Sequence, residues 1–161
     1  MKSVLISIHP EWCERIASGN KTLEVRKTCP KIEPPFKCYI YCTYGLGLIQ
    51  YYDSDYPNML LDQRVSKSAT WGNCCNGKVI GEFVCDKITP FDVPYPAFQQ
   101  MLDKAIMEQS CLTYYQLHRY AYHDCLFGWR ISELKIYRTP KGLSEFGLTR
   151  PPQSWCYVKG E

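Results

Sequence analysis

The chain has 161 residues, 45% of them apolar and 22% charged, and its 19 basic and 16 acidic side chains leave a net charge of +3. This composition excludes a disordered chain, and the length fits one domain with a core large enough to need no staples. So small a surplus does not mark a nucleic-acid binder, and any basic patch has to come from local clustering.

The first strand is expected over Val4 to Ile8. Pro10 suits the first turn of a helix, where its missing N–H is not needed. Trp12, Cys13, Ile16 and Ala17 fall on one face of that helix, and Gly19 stands where a left-handed C-cap belongs. Lys21 to Lys27 alternates as a strand does, with Leu23 and Val25 on one side and Thr22, Glu24 and Arg26 on the other. Pro30, Pro34 and Pro35 interrupt the chain before a third strand, Cys38 to Thr43. A polar, tyrosine-rich segment from about Tyr44 to Gly77 follows, carrying Tyr51, Tyr52, Asp53, Asp55, Arg64, Lys67 and Trp71. It reads equally as a lid or as a surface insertion.

Lys78 to Cys85 is a fourth strand running on towards Ile88, with Gly81 marking a bend or bulge. Tyr95 to Gln109 has Phe98, Met101, Leu102, Ala105 and Ile106 at helical spacing. Thr113-Tyr114-Tyr115-Gln116 fits a capping box that starts another helix through Tyr120. Leu126 to Tyr137 ends in the strand Leu134–Tyr137, and a last strand lies within Arg150 to Val158. Some six strands with short helices between them predict an α+β fold, a small mixed β-barrel. One domain over 1–161, with a long insertion at about 44–77, is the expected organisation.

Ten cysteines fall below the roughly 8–10% that marks a disulfide scaffold. The opening Met1–Ile8 has no apolar stretch of the ~7–15 residues a secretory signal needs, and none approaches the ~20 that cross a membrane. Free, buried thiols in a reducing cytoplasm, away from any membrane, are therefore expected. There is no C-x-x-C pair, and His9, His118 and His123 have no ligand spacing with the cysteines, so neither metal nor cofactor is expected. Walker A, the Rossmann glycine fingerprint and G-x-S-x-G are absent.

The densest functional pattern is Gly19-Asn20-Lys21-Thr22-Leu23-Glu24-Val25-Arg26-Lys27. A helix end, a glycine and a strand start bring its polar side chains to one sheet edge. Lys21, Arg26 and Lys27 could hold phosphate, and Glu24 could accept from a base amine such as cytosine N4. The same residues also fit an ordinary Glu–Arg pair on a surface strand. Trp12, Trp71, Trp129 and Trp155 are either stacking faces for bases or core, with Trp129 and Trp155 the candidates for stacking.

Leu5-Ile6-Ser7-Ile8-His9-Pro10 followed by Ile16-Ala17-Ser18-Gly19-Asn20-Lys21-Thr22-Leu23-Glu24-Val25-Arg26-Lys27 resembles the ASCH (activating signal cointegrator homology) family of the PUA-like superfamily. The resemblance continues through Tyr39–Thr43, Gly77–Phe83 and Gly128–Tyr137. The ending Arg150–Val158 is similar to a subgroup frequent in gut Firmicutes and their prophages. It implies a PUA-like β-barrel with a cleft between barrel and flanking helix that binds RNA or modified nucleotides. The family's G-x-K-x-x-E-x-R pattern falls on Gly19, Lys21, Glu24 and Arg26, and the cleft would also see Thr43, Trp129 and Ser132.

On that resemblance, Lys21, Arg26 and Lys27 meet phosphate or carbonyl groups, Glu24 reads an exocyclic amine and Trp129 stacks. One similar bacterial branch removes the acetyl group from N4-acetylcytidine, with a lysine where Lys21 stands. It has a nucleophilic threonine where this chain has Glu24. An amidohydrolase here would instead use Glu24 as base for water and Lys21 to stabilise the oxyanion. The other alternative is a phage-derived module whose partner is a protein, contacted through the 44–77 segment.

Overall fold

The computed structural model describes residues 2–44, 49–51, 60–62 and 75–160. In chain order the elements are β1 (Lys2–Ile8), α1 (Pro10–Ala17), β2 (Leu23–Arg26), β3 (Phe36–Cys42), β4 (Ile49–Tyr51) and β5 (Leu60–Asp62). They continue with β6 (Lys78–Phe91), α2 (Lys104–Ser110), α3 (Tyr114–Ala121), β7 (Leu126–Lys141) and β8 (Trp155–Lys159). Short 3₁₀ turns lie at Pro96–Met101 and Leu143–Phe146.

Six strands form one mixed sheet in the order β2-β7-β6-β3-β1-β8. β1 and β3 are parallel and every other pair in the sheet is antiparallel. β4 and β5 pair separately as a two-stranded ribbon. Most of the 44–77 segment, including Tyr52, Asp53, Asp55, Arg64, Lys67 and Trp71, lies outside the described residues, as does the lid reading that rests on it.

No ladder joins β2 to β8, so among the described residues the sheet stays open where a closed barrel was expected. The cause is visible in the sequence. β2 is four residues long and is followed by Pro30, Pro34 and Pro35, while Pro151 and Pro152 precede β8. Proline has no N–H to donate, so neither edge can extend a ladder there. Side chains bridge the gap instead. Arg26 at the end of β2 reaches Ser154 and Ser7, the Trp155 indole donates to the Thr28 hydroxyl at 3.0 Å, and the Lys31 amide donates to the Tyr157 hydroxyl at 2.7 Å.

The main core lies between this curled sheet and α1, built from Val4, Ile6, Ile8, Cys13, Ile16, Cys38, Ile40, Phe83 and Trp129 among others. A second cluster joins Leu23 and Val25 to Leu102, Tyr114, Leu117 and Leu126 beneath α2 and α3. A third, on the outer sheet face, packs Tyr39 and Tyr41 against Leu143 and Phe146. β2 is therefore buried on both faces, which its alternating pattern did not signal.

Gly19 takes the left-handed conformation at φ 78° and ends α1 as expected. At Gly81 the β3–β6 register skips Ile80, and a Cβ there would lie 2.5 Å from the Lys135 carbonyl oxygen. Only glycine tolerates that approach. The Thr113–Gln116 capping box is present, with both reciprocal hydrogen bonds.

The helix expected over Tyr95–Gln109 divides in two. Leu102 is extended and buried, and the Asp103 side chain accepts from the Ala105 amide at 2.9 Å, restarting the chain as α2. Phe98 and Met101, expected on its buried face, are exposed. No helix among the described residues is long and apolar enough to cross a membrane.

Candidate functional site

The Lys21–Arg26 stretch runs from the end of α1 into β2. Leu23 and Val25 turn to the α2–α3 side, which sends Glu24 and Arg26 to the other face, under α1. Lys21, Glu24 and Arg26 are 3%, 6% and 9% exposed, so this is a buried charge network and not a surface strand pair.

Lys21 Nζ donates to the carbonyls of Leu23 and Ser110, both at 2.9 Å, and pairs with Glu24 Oε2 at 3.3 Å. Those three acceptors match its three protons. The ammonium also lies 5.4 Å from the centre of the Trp12 ring. Arg26 Nε donates to Glu24 Oε1 at 3.0 Å, Nη2 to the Ser7 carbonyl at 2.6 Å and Nη1 to Ser154 Oγ at 3.3 Å. Burial pushes the Glu24 carboxyl upward, but the charges and hydrogen bonds of Lys21 and Arg26 outweigh it and hold its pKa below the ordinary value. Glu24 is therefore an ionised acceptor with both oxygens in use.

Cys13, Cys42 and Cys75 are buried around this network. Burial raises the Cys13 thiol well above its usual range, and the neighbouring Cys42, Glu24 and Cys75 add to the effect. A thiol so placed stays protonated and inert.

Thr43 stands at the carboxyl end of β3. Its Oγ1 lies 3.2 Å from His9 Nδ1, its amide donates to the Ile8 carbonyl at 2.9 Å, and its carbonyl accepts from Asn76 at 3.0 Å. Because β1 and β3 are parallel, their carboxyl ends coincide. His9 and Thr43 thus form a polar mouth where the chain leaves for and returns from the 44–77 segment. His9 is exposed and Thr43 half-buried.

The remaining predicted site residues lie elsewhere. Lys27 turns to α3, 3.9 Å from Asp124 and over the Tyr120 ring. Ser132 donates to the Val84 carbonyl at 2.8 Å, on the opposite side of β7 from Trp129 and Ile131. Trp129 is directly opposite Glu24 in the β2–β7 ladder, which puts it on the network's face. It is fully buried between Phe36 and Trp155, with both ring centroids at 6.0 Å, so it has no face on which a base could stack. Its indole N–H is buried without a hydrogen-bond partner among the described residues.

Sequence reasoning thus found the three residues of the network but missed its anchors. Ser7 and Ser154 lie outside the motif in the chain, and only the tertiary fold brings them to Arg26 across the gap between β2 and β8. His9 could have been found as the residue between a strand and a proline-led helix, a junction that opens at a sheet's carboxyl edge.

The fold is similar to that of the ASCH protein of Zymomonas mobilis. A crystal structure of a single-substitution variant matches with a TM-score of 0.65 at 19% identity, covering 99% of this chain and 91% of that one. The unsubstituted protein matches at 0.65 and a second variant at 0.66, each at 19% identity over 98% of this chain and 87% or 88% of theirs. No family model matches the sequence, and no curated protein matches it at a significant level.

Proposed function

We propose that the protein is an ASCH-family module that binds RNA or a nucleotide over His9 and Thr43, at the carboxyl ends of β1 and β3. The Lys21–Glu24–Arg26 network is the rigid floor of that site, and Lys27 is a more distant phosphate contact. The observation that carries this reading is a buried network of two cations and one carboxylate, in which Arg26 holds the Ser7 carbonyl two residues before His9, together with the His9–Thr43 imidazole–hydroxyl pair at the carboxyl ends of β1 and β3. Buried ion pairs are weak sources of stability, because desolvation offsets much of their attraction. Their presence here, tied through Arg26 to the strand that ends at His9, favours a binding site there. The likeness in fold to an ASCH protein supports the same reading.

Fluorescence anisotropy of a labelled short RNA at two salt concentrations tests it. Binding that weakens with salt, and weakens several-fold in His9→Ala, supports the reading. No binding at low salt, or binding indifferent to His9→Ala, contradicts it.

The His9–Thr43 contact also favours a second reading, a small hydrolase of modified nucleosides such as N4-acetylcytidine. A hydroxyl 3.2 Å from an imidazole nitrogen has the spacing of a nucleophile and its base. Mass spectrometry of a modified-nucleoside panel decides, since unchanged nucleosides throughout would exclude the enzyme.

A further inference from the structure

A cavity of about 150 Å³ lies at the carboxyl end of α3, on the helical side of the molecule and apart from the His9–Thr43 mouth. Asp92, Tyr95, His118, His123 and Asp124 line it, with Val93 and Ala121 as its apolar part. No lysine or arginine lines it, so its fixed charges are two carboxylates. Asp92 has no hydrogen bond or ion pair among the described residues. Asp124 has only a loose pair with Lys27 at 3.9 Å.

The aromatic rings at the rim are inclined to one another. Tyr95 and His123 lie 5.8 Å apart at 45°. Tyr95 is 64% exposed, so much of its ring surface is left in water. Tyr122 and His123 are consecutive left-handed residues, at φ 43° and 71°. Residues with a Cβ rarely adopt that conformation, and here it turns the chain so that the His123 ring meets Tyr95.

We infer that this cavity binds an organic cation, an ammonium or guanidinium group. The Tyr95 ring face would attract it through its quadrupole, and Asp92 and Asp124 would neutralise it. The volume is below the roughly 300–1,000 Å³ of pockets that take whole drug-sized ligands, so the cavity fits a head group. Two sources share that chemistry: a free polyamine, and the arginine or lysine side chain of a partner protein. The inference is independent of the RNA reading.

The test is an NMR titration of the histidine ring protons of the full chain with methylguanidinium and tetramethylammonium chloride at constant ionic strength. Saturating shifts at His118 and His123, with His9 unmoved, are expected. Asp92→Asn and Tyr95→Ala, both at exposed positions, should each weaken binding by about fivefold, the scale of a modest cation–ring contact, while melting like the wild type. Shifts that never saturate, that move His9 equally, or that are the same in Asp92→Asn overturn the inference. Comparing spermidine with N-acetylarginine amide then assigns the source, the tighter of the two identifying a free polyamine or a protein side chain.

Discussion

The seam beneath α1 and the cavity at the end of α3 use the same kinds of side chain in opposite ways. At the seam, Lys21, Glu24 and Arg26 are buried, and the ammonium, carboxylate and guanidinium groups find their partners in one another and in carbonyls and a serine hydroxyl. At the cavity, Asp92 has no partner among the described residues, Asp124 holds Lys27 loosely, and the Tyr95 ring faces solvent. The first arrangement holds two sheet edges together. The second leaves an exposed carboxylate and an exposed ring to water, which the proposed cation would displace. A motif that reads as a ligand site in sequence can thus be largely consumed by the fold.

The sharpest way to break this contrast is Glu24→Ala. It leaves two buried cations without their carboxylate and should destabilise the protein by about 3–5 kcal/mol, lowering the melting temperature by roughly 10 °C. A loss below about 1 kcal/mol in urea denaturation would place the network among screened surface pairs.

The same carboxyl predicts an acid limb. Its folded pKa lies below the unfolded value near about 4.3, so in acid the unfolded chain binds more protons. The stability Glu24 contributes is therefore complete at neutral pH and is lost as pH falls from about 4 through the folded pKa. Glu24→Gln should flatten this limb without abolishing it. Glu82 remains, its pKa also lowered, because the Tyr137 hydroxyl and Lys37 outweigh its burial.

Arg26→Lys keeps the charge but not the fork that spans Glu24, Ser7 and Ser154, and should cost about 1–3 kcal/mol. Thr28→Val removes the acceptor of the Trp155 indole, and about 1 kcal/mol is expected. Asp92→Asn completes the contrast at the other region, with the melting temperature moving by no more than about 2 °C.

Features that depend on neighbours in the chain were legible in the sequence. Pro10 and Gly19 bound the first helix, Thr113 and Gln116 cap the third, and Gly81 marks the bulge, because each acts through local backbone geometry. Asp103 falls inside the helix expected over Tyr95–Gln109 although it is a strong N-cap type, since apolar spacing runs across it. The residues leave Trp129 open between core and stacking face, because its fate depends on register. Only pairing with Glu24 turns it under α1, between Phe36 and Trp155. The three charged residues were legible as a group, but not as a closed one, because Ser7, Ser110 and Ser154 reach them only through the tertiary fold.

The measurement that tests the account most directly is a double-mutant cycle between Lys21→Met and Glu24→Gln, read by urea unfolding. Closed, mutually satisfied charges predict a coupling energy of about 1.5–3 kcal/mol, the upper range for residues in one network. Additivity within about 0.5 kcal/mol would mean that the two side chains do not depend on each other. The seam would then no longer account for what becomes of the motif.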